Sequence, residues 1–448
     1  MSAKELAAML GQWRVADGTM SIGLATALAH LIESQLLPSG SRLPAQRALA
    51  DALDIARGTV TTAYEILAGR GYINAEVGRG STVSAINKRT LRPGGHSTQD
   101  IAATAIDLST QSLPASDEVG RALSHLTQSA LRPYLETDGH FPFGVPVLRS
   151  AVARHLTACG VTTSADQILV TGGAQQALWL AAFALTEPGD TVLVEDPTYR
   201  GVLAALDGVH HRLRVVGYSP FGPDFSTAST ASLVYCQSSV HSPTGKVMSS
   251  DALQRLARAV EERGHVVVDD RSAAELIYAP EEQNKGLFDM VDPSRLITVG
   301  TASKVFWGGL RIGWIRSDPQ MIARLADVKQ AIDITTSVLD QFLAVEVLEN
   351  VEQAASERRT LLLDQLDRTT AILDEARPDW TWSRPSGGSG LWVNIHSDAI
   401  EFAMKAQSHG IRIADGPSFS IGHGFDTHVR LPIWRGPELL RRALGILD

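Results

Sequence analysis

The chain has 448 residues, of which 44% are hydrophobic and 20% charged, which is typical of a globular protein with two or three domains. The formal net charge of −9 excludes a protein that is basic over its whole surface, and no apolar stretch reaches the roughly 18 residues of a membrane span. Two cysteines, Cys159 and Cys236, are too few for a disulfide framework or a thiolate zinc site, so no metal is expected.

The first helix is predicted after an N-terminal extension of residues 1–19. The start, MSAKELAAML, lacks the basic-then-apolar pattern of an export signal, which favours a cytoplasmic location. The segment LATALAHLIESQLL then repeats apolar residues at helical spacing until Pro38 and Gly40 end the helix. Its apolar stripe consists of Leu24, Leu28, Leu31, Ile32 and Leu36.

Two shorter helices and a hairpin are predicted next. Pro44 precedes the helical segment AQRALADAL, and GTVTTAYEILAGR forms a third helix that Gly69 and Gly71 end. The segment YINAEVGRGSTVS then provides two short strands around a turn at residues 78–80. Three helices followed by a hairpin predict a winged helix-turn-helix, and we place this domain at residues 1–85, including the extension.

Residues 86–106 show no strong periodicity and predict a linker. From 107 to 448 short apolar strands alternate with longer helical segments, which predicts an α/β domain with a mainly parallel sheet flanked by helices. Residues from about 335 to 448, with the 107–150 region, are expected to form a small α+β subdomain. The predicted strands are QILVTG (167–172), TVLVED (191–196), LVYCQ (233–237), HVVVDD (265–270) and LITVG (296–300).

Polar residues follow these strands at their carboxyl ends, where parallel α/β sheets bind ligands. Lys304 lies between small residues and the apolar segment VFWGGLRIGW, so partial burial is expected. This suits pyridoxal 5'-phosphate, because a buried lysine offers a neutral amine for a Schiff base and a carboxylate keeps the pyridine nitrogen protonated. The polar signals are Gly173, Ala174, Gln175, Tyr199, Ser242, Asp269, Asp270, Thr301, Ser303 and Lys304.

Each of these features alone also has an ordinary structural explanation. A lysine after a strand is usually a surface residue, and Asp269 and Asp270 could be helix caps or ion-pair partners. Tyr199, next to Pro197, could be a packing residue. Their order and spacing together favour the cofactor site.

Both parts of the chain resemble known families. The segment SRLPAQRALADALDIARGTVTTAYEILAGRGYINAEVGRGSTV resembles the winged-helix domain of the GntR family, and the C-terminal part resembles fold-type I pyridoxal phosphate enzymes of the aspartate aminotransferase family. The fusion is similar to the MocR-type transcriptional regulators over nearly the whole chain. Within that group, ASKVFWGGLRIGW and EDPTY resemble the YczR-like branch.

The resemblance implies roles for the residues of the matching motifs. Lys304 in TASK would form the Schiff base, and Asp270 would contact the pyridine nitrogen, whereas a one-residue shift would give that role to Asp269. Tyr199 would stack on the ring. Arg430 in HVRLPIW would bind an effector carboxylate, the alternative being a surface strand residue. The phosphate would be held by Gly173, Ala174, Gln175, Thr301, Ser303 and Arg311.

The sequence also departs from the family pattern. Ser242 stands where the family commonly has an asparagine, and Ser272 stands where it commonly has a tyrosine. In the family, that asparagine and that tyrosine hold the phenolic oxygen of the cofactor. The tyrosine expected before a Pro-x-Gly turn is absent from HFPFG (140–144). We therefore expect the cofactor to bind without efficient transamination.

The resemblance also implies contacts to double-stranded DNA by the winged helix. Residues 41–80 are mildly basic in an acidic chain, and the second helix of the motif would lie in the major groove. Because specific sites have two half-sites, a homodimer is expected. The alternative for each residue is a solvated charged surface. The predicted contacts are Arg57, Thr59 and Thr61 on the second helix, Arg47 and Arg42 before it, and Arg79 at the wing tip.

These observations predict a DNA-binding transcriptional regulator that senses pyridoxal phosphate, a small amine or an amino acid. One alternative is a working aminotransferase with an accessory winged helix. A second is a regulator whose aminotransferase-like domain holds no cofactor.

Overall fold

The computed structural model describes residues 2–10, 13, 20–33, 37–38, 40–69, 72–76, 80–83, 106–209, 213–218, 231–279, 285–422 and 424–447. The chain divides into two compact units, Met1–Asp100 and Ile101–Asp448, and each is described by itself. None of the helices formed by the described residues is long and apolar enough to cross a membrane.

The N-terminal unit contains the predicted helices and hairpin. Tyr64, from the third predicted helix, donates its hydroxyl proton to the carbonyl of Pro44 over 2.9 Å and ties that helix to the segment before the second. The winged helix-turn-helix is thus confirmed, whereas the predicted positions Leu36, Gly78 and Arg79 lie outside the described residues. The elements are α1 (Ala3–Leu10), α2 (Met20–Glu33), α3 (Gln46–Leu53), α4 (Arg57–Gly69) and the antiparallel pair β1 (Ile73–Glu76) and β2 (Gly80–Val83).

Helix α1 belongs to the packed core of this unit, although the sequence indicated only an extension. Leu6 is fully buried and Leu10 and Trp13 are nearly so, against the apolar faces of α2 and α3. An eight-residue helix carries too few turns for its periodicity to stand out from the sequence. Its buried side chains therefore stabilise the winged helix directly.

The C-terminal unit is built on a seven-stranded sheet with the order β4-β10-β9-β8-β7-β5-β6, in which only β10 runs antiparallel to its neighbours. All five predicted strands occur in it, while β6 and β10 were not predicted. The strands are β4 (Ile168–Thr171), β5 (Thr191–Glu195), β6 (Arg214–Tyr218), β7 (Leu233–Cys236), β8 (Val266–Asp270), β9 (Leu296–Thr301) and β10 (Gly313–Arg316).

A second sheet of five strands, in the order β11-β12-β14-β13-β3, completes this unit. Strand β3 begins at Ile106, the last residue of the predicted linker, and pairs in parallel with β13. The strands are β3 (Ile106–Leu108), β11 (Thr381–Trp382), β12 (Gly390–Asn394), β13 (Ile411–Asp415) and β14 (His428–Pro432). The helices are α5 (Asp117–His125), α6 (Gln128–Leu135), α7 (Pro146–Ala158), α8 (Ala174–Leu185), α9 (Arg200–Val209), α10 (Ser250–Arg263), α11 (Pro319–Gln330), α12 (Val338–Leu348), α13 (Val351–Ala376), α14 (Ala399–Ser408) and α15 (Pro437–Leu447).

Candidate functional site

Lys304 lies three residues after the end of β9, at the carboxyl edge of the large sheet, and its side chain is half-buried. Burial and the nearby guanidinium of Arg430 lower the pKa of its amine, and Asp270 opposes that shift. An amine in these surroundings gives up its proton at a lower pH than an exposed lysine does. These surroundings suit the role of a nucleophile that was predicted for Lys304.

The carboxylate whose charge acts on Lys304 is that of Asp270. Its Oδ2 accepts a hydrogen bond from the Tyr235 hydroxyl at 2.9 Å, and its Oδ1 accepts the backbone N–H of Ser272 at 3.0 Å. Burial raises the pKa of Asp270, and these hydrogen bonds oppose the rise. A buried carboxyl of this kind favours a positive partner, which a protonated pyridine nitrogen would supply.

Strand pairing separates Asp270 from its neighbour Asp269. In the register of β7 and β8, Tyr235 lies opposite Val268 and Cys236 opposite Asp269, and successive side chains point to opposite faces. Asp270 therefore shares a face with Tyr235. Asp269 points to the other face. There its Oδ1 accepts the backbone N–H of Ser238 at 3.1 Å, and its Oδ2 accepts the hydroxyl of Ser238 at 2.7 Å. This geometry supports Asp270, and not Asp269, as the partner of a bound ring.

The N-terminus of α8 offers an anion site. Gly173 caps the helix with φ +96° and no side-chain hydrogen bond, so the first N–H groups have no capping side chain. Arg311 donates from Nη2 to the carbonyl of Gly172 at 2.8 Å, and a Cβ at Gly173 would lie 2.9 Å from that nitrogen. A Cβ at Gly313 would lie 2.8 Å from the backbone nitrogen of Ala174. The backbone and Arg311 thus form a cradle that fits a phosphate.

Two predicted phosphate contacts line the same edge. The N–H of Ser303 donates to Thr301 Oγ1 at 3.2 Å, and the Thr301 hydroxyl donates to the carbonyl of Ile312 at 2.9 Å. These bonds hold the loop that leads to Lys304 against the start of β10. Both hydroxyl groups therefore lie at the end of β9 and in the first residues after it, directly before Lys304.

Gln175 holds Tyr199 in place. Its Nε2 donates to the carbonyl of Gly201 at 2.7 Å, while the Tyr199 hydroxyl lies 3.5 Å from its Oε1. A side chain at Gly201 would collide with the ring of Tyr199, so glycine is required there. Burial and the charge of Asp270 raise the pKa of Tyr199, and Arg430 opposes the rise, so the ring lies among the charged groups of the site. The predicted stacking residue is thus fixed beside Asp270.

Arg430 is buried on β14, and its Nη2 donates to the carbonyl of Ser109 at 2.8 Å. Its guanidinium carbon lies 4.6 Å from the centroid of the Phe419 ring. Burial and the nearby Arg200 hold the pKa of Arg430 well below its ordinary value. It is therefore no surface strand residue, and a carboxylate in the site would supply its missing counter-charge.

Ser242 is half-buried, and its buried hydroxyl oxygen has no hydrogen-bond partner among the described residues. Its N–H donates to Gln237 Oε1 at 3.0 Å. Beside it, His241 donates from Nε2 to the carbonyl of Pro197 at 3.0 Å and approaches Thr244 Oγ1 with Nδ1 at 2.8 Å. A carbonyl can only accept, so Nε2 carries the proton, and burial lowers the pKa of His241 to about 4. Neutral His241 thus fastens two loops, and the unsatisfied Ser242 hydroxyl is available to a bound group.

Glu195 is a buried carboxyl that the sequence did not single out. It ends β5 with no exposed surface, and Gln237 Nε2 donates to its Oε2 at 3.3 Å. Burial raises the pKa of Glu195 to about 8, and Asp269 and Asp270 add to that shift. The pattern of β5 could have indicated that Glu195 is buried. Its nearness to Asp269 and Asp270 could not be predicted, because those residues lie on a strand far away in sequence.

The residues predicted to contact DNA are mostly exposed where the structure describes them. Arg42 and Arg47 lie on the surface beside the start of α3, and Arg57 is the first residue of α4. Thr59 is half-buried, and Thr61 reaches Gln46 Oε1 at 3.0 Å, so it ties α4 to α3. The predicted wing-tip contact, Arg79, lies outside the described residues.

A winged helix-turn-helix joined to a large sheet with a lysine, a carboxylate and an anion cradle at its edge defines a DNA-binding regulator with an aminotransferase-like domain. Residues 104–446 match the model "Aminotransferase class I and II", and residues 23–83 match "Bacterial regulatory proteins, gntR family". The chain belongs to the aminotransferase class I and II family and carries a GntR-type N-terminal domain, the MocR-type layout that the sequence predicted. The family implies pyridoxal 5'-phosphate as its cofactor.

Similar curated proteins include transcriptional regulators and a transaminase. The HTH-type transcriptional regulator YisV of Bacillus subtilis is 29% identical over 80% of either chain. YdcR of Escherichia coli, also an HTH-type transcriptional regulator, is 26% identical over 94% of this chain and 96% of its own. The 2-aminoadipate transaminase of Thermus thermophilus is 29% identical over 80% of this chain and 89% of its own.

The C-terminal part of this chain has the same fold as a solved aminotransferase structure. The alpha-aminoadipate aminotransferase of Thermus thermophilus, complexed with N-(5'-phosphopyridoxyl)-L-leucine, superposes with a TM-score of 0.69 at 25% identity. The match covers 81% of this chain and 98% of that chain.

Proposed function

We propose that this protein is a transcriptional regulator whose C-terminal unit binds pyridoxal 5'-phosphate and senses the cofactor, a small amine or an amino acid. The observation that carries the proposal is the half-buried Lys304 between the buried charges of Asp270 and Arg430, in a chain that also has a winged helix. A homodimer that binds an operator with two half-sites in the cytoplasm fits this function.

The residues present fit the cofactor. When bound, it supplies an aldehyde that captures amines and a pyridine ring that withdraws electrons. Lys304 would attach to it, and Asp270 would hold a proton on the ring nitrogen. Tyr199 would lie against the ring, while Arg311 and the start of α8 would hold the phosphate.

Effector binding would proceed through Arg430. Its buried guanidinium lowers the pKa of Lys304, so the two groups act on the same small volume. A carboxylate on Arg430 would place the amine of an amino acid beside Lys304. The ligand changes DNA binding only if it binds one arrangement of the protein more tightly than another.

Retardation of DNA from the upstream region of the protein's own gene tests the proposal. We expect a shifted band whose midpoint concentration changes when pyridoxal phosphate is added to wild-type protein. The Lys304→Ala variant should bind DNA without responding to the cofactor. Wild-type protein that retards no such DNA, or that stays colourless with cofactor, would overturn the proposal.

A working aminotransferase is the second candidate, because Lys304, Asp270 and Arg430 form the core of such a site. Ser242 and Ser272 oppose it, since neither replaces the amide or phenol that the family uses at these positions. Steady turnover of an amino-acid and keto-acid panel, abolished by Lys304→Ala, would favour this alternative. We expect no efficient turnover.

A further inference from the structure

The site contains a cation that the proposed function leaves unused. Arg311 serves the anion cradle and Arg430 the effector carboxylate, but Arg200 follows directly after Tyr199 at the start of α9. Its guanidinium carbon lies 4.9 Å from the centroid of the same Phe419 ring that Arg430 approaches at 4.6 Å. Both guanidinium groups therefore lie close to the same aromatic ring.

The charge of Arg200 is incompletely compensated. Its Nη1 is buried and has no hydrogen-bond partner among the described residues. Burial lowers the pKa of Arg200, Asp415 and Asp107 raise it, and Arg412 lowers it further. Neither carboxylate reaches Nη1, so a buried donor remains for a ligand.

The small sheet brings these groups to one polar face. Arg412 pairs with Asp107 in the β13–β3 register, and Ala414 pairs with Arg430 in the β13–β14 register. Residues two apart on a strand share a face, so Asp107, Arg412 and Arg430 point to the same side. The charges of Asp107 and Arg412 act on Arg200, and burial together with the charge of Arg200 depresses the pKa of Arg430.

We propose that the effector is a dicarboxylic amino acid, with its α-carboxylate on Arg430 and its side-chain carboxylate on Arg200. This inference rests on the proposed function and narrows its ligand class. Two anionic groups would relieve the repulsion between the guanidiniums, and the second would satisfy Arg200 Nη1. A neutral amide of the same shape would leave both costs in place.

Calorimetric titration of the cofactor-loaded protein with L-glutamate and L-glutamine tests this inference, because the two probes differ only in the second acidic group. We expect wild-type protein to bind glutamate about tenfold or more tightly than glutamine. Arg200→Gln should reduce the ratio of the two affinities to about one, and Arg200→Lys should keep part of the preference. Arg412→Gln removes a neighbouring cation whose charge acts on Arg200, and as the matched control it should keep the full preference.

Equal affinity of the wild-type protein for the two probes would overturn the inference, as would a preference that survives in a folded Arg200→Gln protein. If Arg200→Gln does not fold, the inference is tested by the ratio of glutamate to glutamine affinity in the wild-type protein and in the Arg200→Lys variant. A wild-type protein that takes up no cofactor contradicts the proposed function itself. A protein that takes up cofactor and then fails to distinguish the probes contradicts only this inference.

Discussion

The hydroxyl of Tyr235 donates to Asp270 Oδ2 over 2.9 Å, between strands β7 and β8 and out of contact with water. This bond stabilises the charged form of Asp270, because burial alone raises the pKa of that carboxyl. We expect Tyr235→Phe to weaken cofactor binding by about tenfold, since hydrogen bonds to charged groups contribute roughly 1.5–3 kcal/mol. Absorbance titration with pyridoxal phosphate measures it. The control is Tyr278→Phe, which removes a hydroxyl that donates to the carbonyl of Gly388. This variant should bind cofactor normally.

Lys304→Ala should abolish covalent attachment of the cofactor. After incubation with pyridoxal phosphate and borohydride, wild-type protein should gain the mass of one cofactor per chain, located by peptide mapping at residue 304. The variant should gain none there. Lys246→Ala removes an exposed lysine and should behave as wild type. A modified peptide elsewhere in the wild-type protein would contradict the assignment.

Gly173→Ala should impair the anion cradle. The residue has φ +96°, which side chains rarely adopt, and its Cβ would lie 2.9 Å from Arg311 Nη2. We expect a loss of about 1 kcal/mol or more in stability and a weaker affinity for inorganic phosphate. In the control Gly208→Ala, the nearest atom to the new Cβ is 3.7 Å away. This substitution within a helix should therefore leave stability and phosphate affinity unchanged.

Glu195 should make stability fall as pH rises. Its pKa is about 8 in the folded protein, above its ordinary value near 4.5, so the native state retains a proton that the unfolded chain has lost. The free energy of unfolding therefore decreases between about pH 4.5 and 8. Glu195→Gln should become more stable relative to wild type, by about 1–3 kcal/mol, from pH 5 to pH 8 in urea denaturation. A difference that is independent of pH would refute this assignment.

Arg57 should contribute charge to DNA binding. It is exposed on the first turn of α4, so Arg57→Ala should weaken retardation without lowering the melting temperature. If its contact is to phosphate, the slope of log affinity against log salt should fall by about one. Arg258→Ala, an exposed change on α10, should leave the slope unaltered.

Strand and helix periodicity predicted most of this architecture, because long alternating segments such as HVVVDD carry a clear signal. The polar groups at strand ends followed from the rule for parallel sheets, which brings Lys304 and Asp270 together. Arg200, Tyr235 and Glu195 were missed because their importance depends on neighbours far away in sequence. Strand β10 was missed because four residues, one of them glycine, give little periodicity.

The placement of α1 affects how the DNA-binding head should be isolated. The gntR-family match starts at residue 23, so trimming the head to that match would delete Leu6, Leu10 and Trp13 from the interior. The uncovered apolar surfaces of α2 and α3 would promote aggregation. A head intended for crystallisation with its operator should therefore keep the first helix, and an affinity tag belongs elsewhere than at its amino end.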